Sequence, residues 1–237
     1  MQLHFVTLLL GIFFVAASSS SLYLFHQVIA VDDEDYDKDD QDKNDDNGED
    51  FEEESSIQIC CTWGRDFADG VLTYYIDDDD SSEEQQQAVR NAVEEWDTKV
   101  NPLELDEASN KKISDIRIEF QDDEDDEIAG QTMDMFDGYG FIDNAEITIS
   151  KGIYDYKFDT AAIEQIAKHE MGHALGLGHA NFDGNLMAER IKDGTETISE
   201  CEIRAVVEAN QWRLSGGGGD NTNPYYPQDD SVSCKLE

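Results

Sequence analysis

The chain has 237 residues, with 56 acidic against 16 basic side chains and a formal net charge of −40. That length holds one ordinary domain plus tails. So acidic a surface lacks the basic face that phosphate contacts need, which argues against nucleic acid and anionic membranes as partners and favours solubility and cation binding.

No Asp, Glu, Lys or Arg occurs in the first 31 residues. Phe5 to Ala17 is an apolar run, followed by serines and a second short run ending at Val31. This start reads residues 1–30 as a secretory signal, with small-residue exits at Ala17 or Ala30, or as an uncleaved N-terminal anchor. The usual positive n-region is missing. Residues 31–56 are so acidic that they cannot bury a core, and are expected to form a disordered leader or pro-segment. The folded domain is assigned to residues 57–214. A Gly-rich linker and polar tail fill residues 215–237.

Within the domain, Val71 to Ile76 has the β-branched and aromatic content of a strand. Ser81 and Glu84 form an expected capping box. The helix they open places Val89, Ala92, Val93, Trp96 and Val100 on one stripe. Asn101-Pro102 ends it, because a residue before proline avoids the helical region. Ile113 to Phe120 alternates as a half-buried strand. An acidic loop, Asp122 to Glu127, follows it. Gly130 to Phe136 and Ala145 to Ser150 read as two further strands. Asp159 or Thr160 caps a second helix running to about Leu175. Ser199 and Glu202 box the start of a third, with Ile198 and Ile203 at staple positions. The order gives an α+β domain.

Four cysteines, Cys60, Cys61, Cys201 and Cys234, fit an exported chain, with free thiols in a reducing compartment as the alternative. A bond between the neighbours Cys60 and Cys61 is expected to strain the backbone. Two pairings then remain, each joining the adjacent pair to Cys201 and Cys234.

The second helix carries the chemistry. His169 and His173 are four residues apart, so both imidazoles face one side, one turn apart. That is the bite two nitrogens need to hold one zinc. Glu170 follows the first ligand and can lean over an open coordination position. Gly176 can take a left-handed conformation that ends the helix and turns the chain, returning His179 as a third ligand. Three protein ligands leave a position for water, the mark of a catalytic zinc. His4 and His26 fall in the expected leader, so a chain that loses it keeps only the three histidines of this motif.

His169-Glu170-x-x-His173-x-x-Gly176-x-x-His179 resembles the long metzincin signature. Within that clan the chain is similar to the matrixins, in a minimal form of the prokaryotic and archaeal kind. Met187, eight residues after His179, resembles the matrixin Met-turn, where a methionine packs beneath the zinc. The resemblance runs from about Trp63 to Trp212. It implies a metzincin (zincin-like) catalytic domain: a twisted mixed sheet, an active-site helix and a C-terminal helix. Gly130 to Phe136, with Gly130, Gln131 and Thr132, lies where the family has its substrate-binding edge strand. The start of the family's domain packs near its last helix, which implies a bridge from Cys60 or Cys61 to Cys201, the other tying down Cys234. A thiolate of Cys60 or Cys61 on the zinc of a zymogen, or an aspartate of the leader there, is the competing role.

The chain departs from the family in three ways. With no histidine between His26 and His169, the family's second, structural zinc is not carried over. Glu189 stands two residues beyond Met187, where the astacin and serralysin branches have a ligating tyrosine. The pro-segment cysteine-switch motif is missing. Calcium is a further expectation on the acidic loops, with Asp122 to Asp126, Asp134, Asp137 and Asp143 as candidates; a merely solvated loop is the alternative.

The expected function is a secreted or surface-anchored zinc endopeptidase, a monomer acting on protein or peptide substrates through one catalytic Zn2+. It would hydrolyse peptide bonds with a zinc-bound water, Glu170 serving as general base and then acid. The alternatives are an acidic cation-binding surface protein without activity, or another zinc hydrolase such as an amidase. Residues Ala188 to Lys192 are expected to wall the specificity pocket.

Overall fold

A computed structural model describes residues 23–30, 54–122, 128–154, 156–191, 197–215 and 223–235. In chain order the strands of the main sheet are β1 (Tyr23–Ala30), β3 (Val71–Ile76), β4 (Glu104–Glu107), β5 (Ile116–Gln121), β6 (Ile128–Phe136), β7 (Ile142–Ser150) and β11 (Arg190–Ile191). A second, small sheet is built from β2 (Ser56–Ile59), β10 (Leu177–Ala180) and β12 (Ser231–Ser233), and β8 (Gly152–Ile153) pairs with β9 (Tyr156–Lys157). The helices are α1 (Glu83–Lys99), α2 (Thr160–Ala174), α3 (Glu200–Ala209) and the single turn α4 (Gln211–Leu214).

The main sheet has the order β11-β1-β6-β7-β5-β3-β4. Its β7, β5, β3 and β4 run parallel, β6 is antiparallel to β7, and β1 is antiparallel to β6 and parallel to β11. The arrangement is α+β with a mixed sheet, an active-site helix and a C-terminal helix, as the sequence leads one to expect.

β3 keeps its expected span, and alternate residues Leu72, Tyr74 and Ile76 face the core. The α1 capping box lies one residue later than Ser81 and Glu84. Ser82 caps and Gln85 reaches back to its backbone, while Ser81 Oγ accepts from the Gln86 side-chain Nε2. β5 starts at Ile116, not Ile113. The Asn110 side chain draws Lys111–Ile113 into a 3-10 turn that leaves Ile113 exposed. The third helix opens on Ser199 with Glu202 closing the box.

The cysteines pair otherwise than expected: Cys60 with Cys61, and Cys201 with Cys234. β12 adds to the free edge of β2 and packs against α3, which sets Cys234 beside Cys201 at the start of that helix. Arg204 donates to the Ser233 carbonyl and the Cys234 amide donates to the Ser55 carbonyl. The adjacent pair instead faces β6, with Cys61 Sγ 3.9 Å from Asp134 Oδ2.

The leader expected over residues 1–30 also divides. Its last eight residues are β1, and the rest lies outside the described residues, as do Gly216–Gly219 of the linker. Tyr, Phe, Val and Ile dominate this uncharged stretch, which suits a pleated surface. β6 would otherwise present unpaired N–H and C=O groups along its outer edge. The strand expected to be free for substrate is therefore an interior strand of the sheet.

Candidate metal centre and catalytic carboxylate

Asp159 caps α2 by accepting from the Ala162 amide. From Ile166 to Ala174 every residue of α2 is buried, as befits a helix sandwiched between the sheet, α1 and the C-terminal elements. Lys168 reaches the surface layer only through ion pairs to Glu95 and Glu164, at 2.8 and 2.9 Å.

The last carbonyls of a helix have no partner within it. In α2 they are supplied from other elements. Trp63 Nε1 donates to the Ala174 carbonyl at 2.8 Å and Asn210 Nδ2 to the Leu175 carbonyl at 2.8 Å. Asn210 also accepts from the Trp63 amide. Gly176 then reverses the chain with φ +99°, and a Cβ there would lie 2.5 Å from the Cys61 carbonyl oxygen. The amides of Cys60 and Cys61 donate to its own carbonyl. This turn leads into β10 and returns His179 to the face of α2.

His169 Nδ1 lies 2.6 Å from the Leu186 carbonyl, and His173 Nδ1 lies 2.8 Å from that of Leu177. A carbonyl can only accept, so both Nδ1 atoms carry the proton. Each Nε2 then keeps a lone pair, and the two face each other at 2.9 Å. His179 Nε2 has no partner. One ring nitrogen from each of the three histidines lies within 4.8 Å of the others. Burial holds all three imidazoles below the usual histidine range, His169 at about 3, and neighbouring imidazoles push His169 and His173 further down. Neutral imidazole is the form that binds metal.

Glu170 is fully buried, and burial raises its carboxyl to about 8, with a smaller push from Asp134 and an opposing bond from Thr132. Thr132 Oγ1 donates to Glu170 Oε2 at 2.6 Å, whereas Oε1 has no partner. β6 can pass this close only because residue 130 is glycine: a Cβ there would lie 2.6 Å from Glu170 Oε1 and 2.7 Å from an Ile166 methyl. We expect Gly130→Ala to displace the carboxylate and lower kcat/KM by about 10-fold or more, with zinc content unchanged, since small misplacements of a catalytic group cost up to about 10²-fold. Steady-state assays beside metal analysis check this.

Met187 is buried beneath α2, where any Cβ on Gly172 would collide with its sulfur. Asn185 holds that turn by accepting from the Met187 amide at 2.9 Å, and Asn185 Nδ2 donates to Glu202 Oε1. Buried Glu202 also closes the α3 capping box, so it ties the turn to the helix. Sequence reading gave Glu202 only the cap and Asn185 no task. Gln131 is half-buried on β6, opposite Gln27.

Of the calcium candidates, Asp137 and Asp143 line one surface pocket together with Asp66, and the other described ones lie apart from it. Asp134 is wholly buried near Cys61, Asp137 accepts from the amides of its own turn, and Asp122 pairs with Lys151. Residues 123–126 lie outside the described residues. Ala188 bridges to Ala180 and Arg190–Ile191 is β11; Lys192 is not described.

The model of the matrixin family matches residues 62–208, well over half of the chain. The chain belongs to the matrixin family. It is accordingly a zinc metalloendopeptidase, a hydrolase of peptide bonds, and its matched segment contains the three histidines, Glu170 and Met187. No curated protein matches this matrixin. Matrixins are generally extracellular, and no helix among the described residues is long and apolar enough to cross a membrane.

One histidine outside the matched segment joins the matrixin centre. His26, expected to leave with a signal, stacks on His173 with ring centroids 4.2 Å apart and planes 14° apart. Its Nε2 lies 3.9 Å from Asp134 Oδ2. Burial, then the charge of His179, lowers its pKa to about 4. Nothing in the spacing of the motif could have found it, since it is 143 residues before His169.

Proposed function

We propose that this matrixin is a secreted endopeptidase in which His169, His173 and His179 hold one zinc and Glu170 carries the proton. The carrying observation is a set of open imidazole nitrogens within 4.8 Å of one another, two Nε2 atoms freed by carbonyl bonds behind them and His179 Nε2 without a partner, together with an unpartnered Glu170 Oε1 on the same helix. Buried polar atoms are ordinarily paired, so four left open together fit a cation and its water. Imidazole nitrogens at this separation suit zinc, whose nitrogen bonds are about 2 Å.

Zinc, when bound, supplies Lewis-acid polarisation of a carbonyl and acidifies a water. Thr132 anchors Oε2 of Glu170 and leaves Oε1 to take the proton of the attacking water. The same oxygen hands that proton to the leaving amide nitrogen. A cation among the imidazoles favours the ionised carboxylate and draws its pKa down from about 8. Met187 and the Asn185 turn fix the Leu186 carbonyl that orients His169. Export is supported by the uncharged apolar start and by two disulfides. Cleavage near Ala17 would keep β1 in the product, and cleavage at Ala30 would remove it.

Hydrolysis of a fluorogenic peptide mixture is expected to vanish with a chelator and return with zinc. The assay uses the intact chain and one with residues 23–30 replaced by Gly and Ser. Activity untouched by chelation in both would exclude the metal mechanism. Metal binding without any peptide cleavage in either would favour an acidic cation-binding protein.

A further inference from the structure

We propose that β1 is an inhibitory strand: Tyr23–Ala30 occupies the matrixin's own peptide-binding cleft and lays His26 over the His173 imidazole. The full chain is then latent until the strand is removed. This rests on the endopeptidase reading above.

The strand fills the place an added peptide would take. It lies between β6 and β11, antiparallel to the first over Tyr23 to Ile29 and parallel to the second at Ile29 and Ala30. Addition of an extended segment to a sheet edge is a common mode of peptide recognition, with main-chain bonds giving affinity. The register centres it on the chemistry. His26 stands opposite Thr132, the residue that holds Glu170, and Gln27 stands opposite Gln131. The His179 imidazole hydrogen-bonds the Gln27 backbone. An external peptide and β1 cannot both pair with β6.

The His26 side chain is 11% exposed, and its Nε2 has no hydrogen-bond partner. Its ring lies against His173 and has its centroid 6.2 Å from that of His179. That open nitrogen groups with Asp134 and the Cys60–Cys61 pair, while the ring itself covers the His173 imidazole and so fills space that a substrate would take. Hydrolysis of one peptide bond between Ala30 and Ser55 would separate strand from domain: water adds across the bond, and a carboxylate and an amine leave.

The test uses the zinc-loaded chain carrying Glu170→Gln, which cannot process itself. Its affinity for a fluorescein-labelled peptide hydroxamate is compared with that of the same chain bearing Gly and Ser at 23–30. An internal competitor at about millimolar effective concentration should weaken the probe by about 10²-fold in the intact chain. His26→Ala alone should recover part of that loss. Equal probe affinity in the intact, His26→Ala and strand-replaced chains would overturn the proposal and leave the endopeptidase reading untouched. Tighter probe binding after strand replacement supports it. If that replaced chain, with Glu170 restored, then cleaves no peptide, the endopeptidase reading fails while the cleft-blocking strand stands.

Discussion

Glu170→Gln should lower kcat/KM for peptide hydrolysis by about 10²- to 10⁴-fold, the range a positioned general base supplies. The substitution preserves size and keeps an oxygen that can accept from Thr132 Oγ1, now 2.6 Å from Oε2. What it removes is the second oxygen, Oε1, whose only open function is to receive a proton. Zinc content should be unchanged, because the three imidazoles and the carbonyls behind them are not touched. The comparison is best made with residues 23–30 replaced, so that the strand does not mask the difference, reading kcat/KM alongside metal analysis. Activity within a few-fold of the parent would remove Glu170 from the proton path. Loss of zinc as well would make it a structural residue of the centre.

The largest expected effect on stability comes from Trp96→Ala. Trp96 is fully buried between α1 and α2, and its indole N–H donates to the Lys168 carbonyl at 3.0 Å, one residue before the first histidine of the motif. Truncation of a buried tryptophan costs about 3–5 kcal/mol, through lost apolar transfer and the cavity left behind. In a domain of this size that lowers the melting temperature by about 10 °C or more. Zinc affinity should fall too, since α1 is the wall behind the helix that carries His169 and His173. Trp96→Phe refills most of the volume but cannot donate to Lys168, so its loss should be about 1–2 kcal/mol from an unmet carbonyl. Calorimetry of the two variants, with and without zinc, separates packing from the hydrogen bond. Equal melting temperatures for Ala and the parent would show that α1 does not buttress the centre.

The legible parts of this matrixin are those whose partners are near in sequence or whose chemistry needs a fixed spacing. β3 could be read from six residues, and the caps of α2 and α3 from four each. The α1 box was misplaced by one because Ser81 and Ser82 compete for the same task and Gln85 serves as well as Glu84. Ile113 misled as a strand start because its alternation continues the pattern of β5, while Asn110 bends the backbone locally. Glu202 was found for its cap but not for its bond to Asn185, which spans 17 residues and two elements.

The disulfide pairing was misread and the strand β1 was not foreseen, for one shared reason. Strain in a bond between neighbours is a local argument, but pairing is decided by what each sulfur can reach. β12 brings Cys234 to Cys201 on α3, while Cys61 Sγ faces Asp134 on β6. An uncharged apolar start reads as a leader in sequence, and the same composition suits a strand once an unpaired edge is offered.

By itself the sequence determined the class of fold, the helix with its two histidines and glutamate, and the glycine turn toward a third histidine. Periodicity, capping and ligand spacing are all local properties of the chain. Only the tertiary structure decided which nitrogen of His169 and His173 faces the centre, which side of Glu170 is open, and that His26 and β1 lie across both. Those facts depend on carbonyls, a threonine and a sheet edge that distant segments bring together, and no spacing along the chain encodes such contacts.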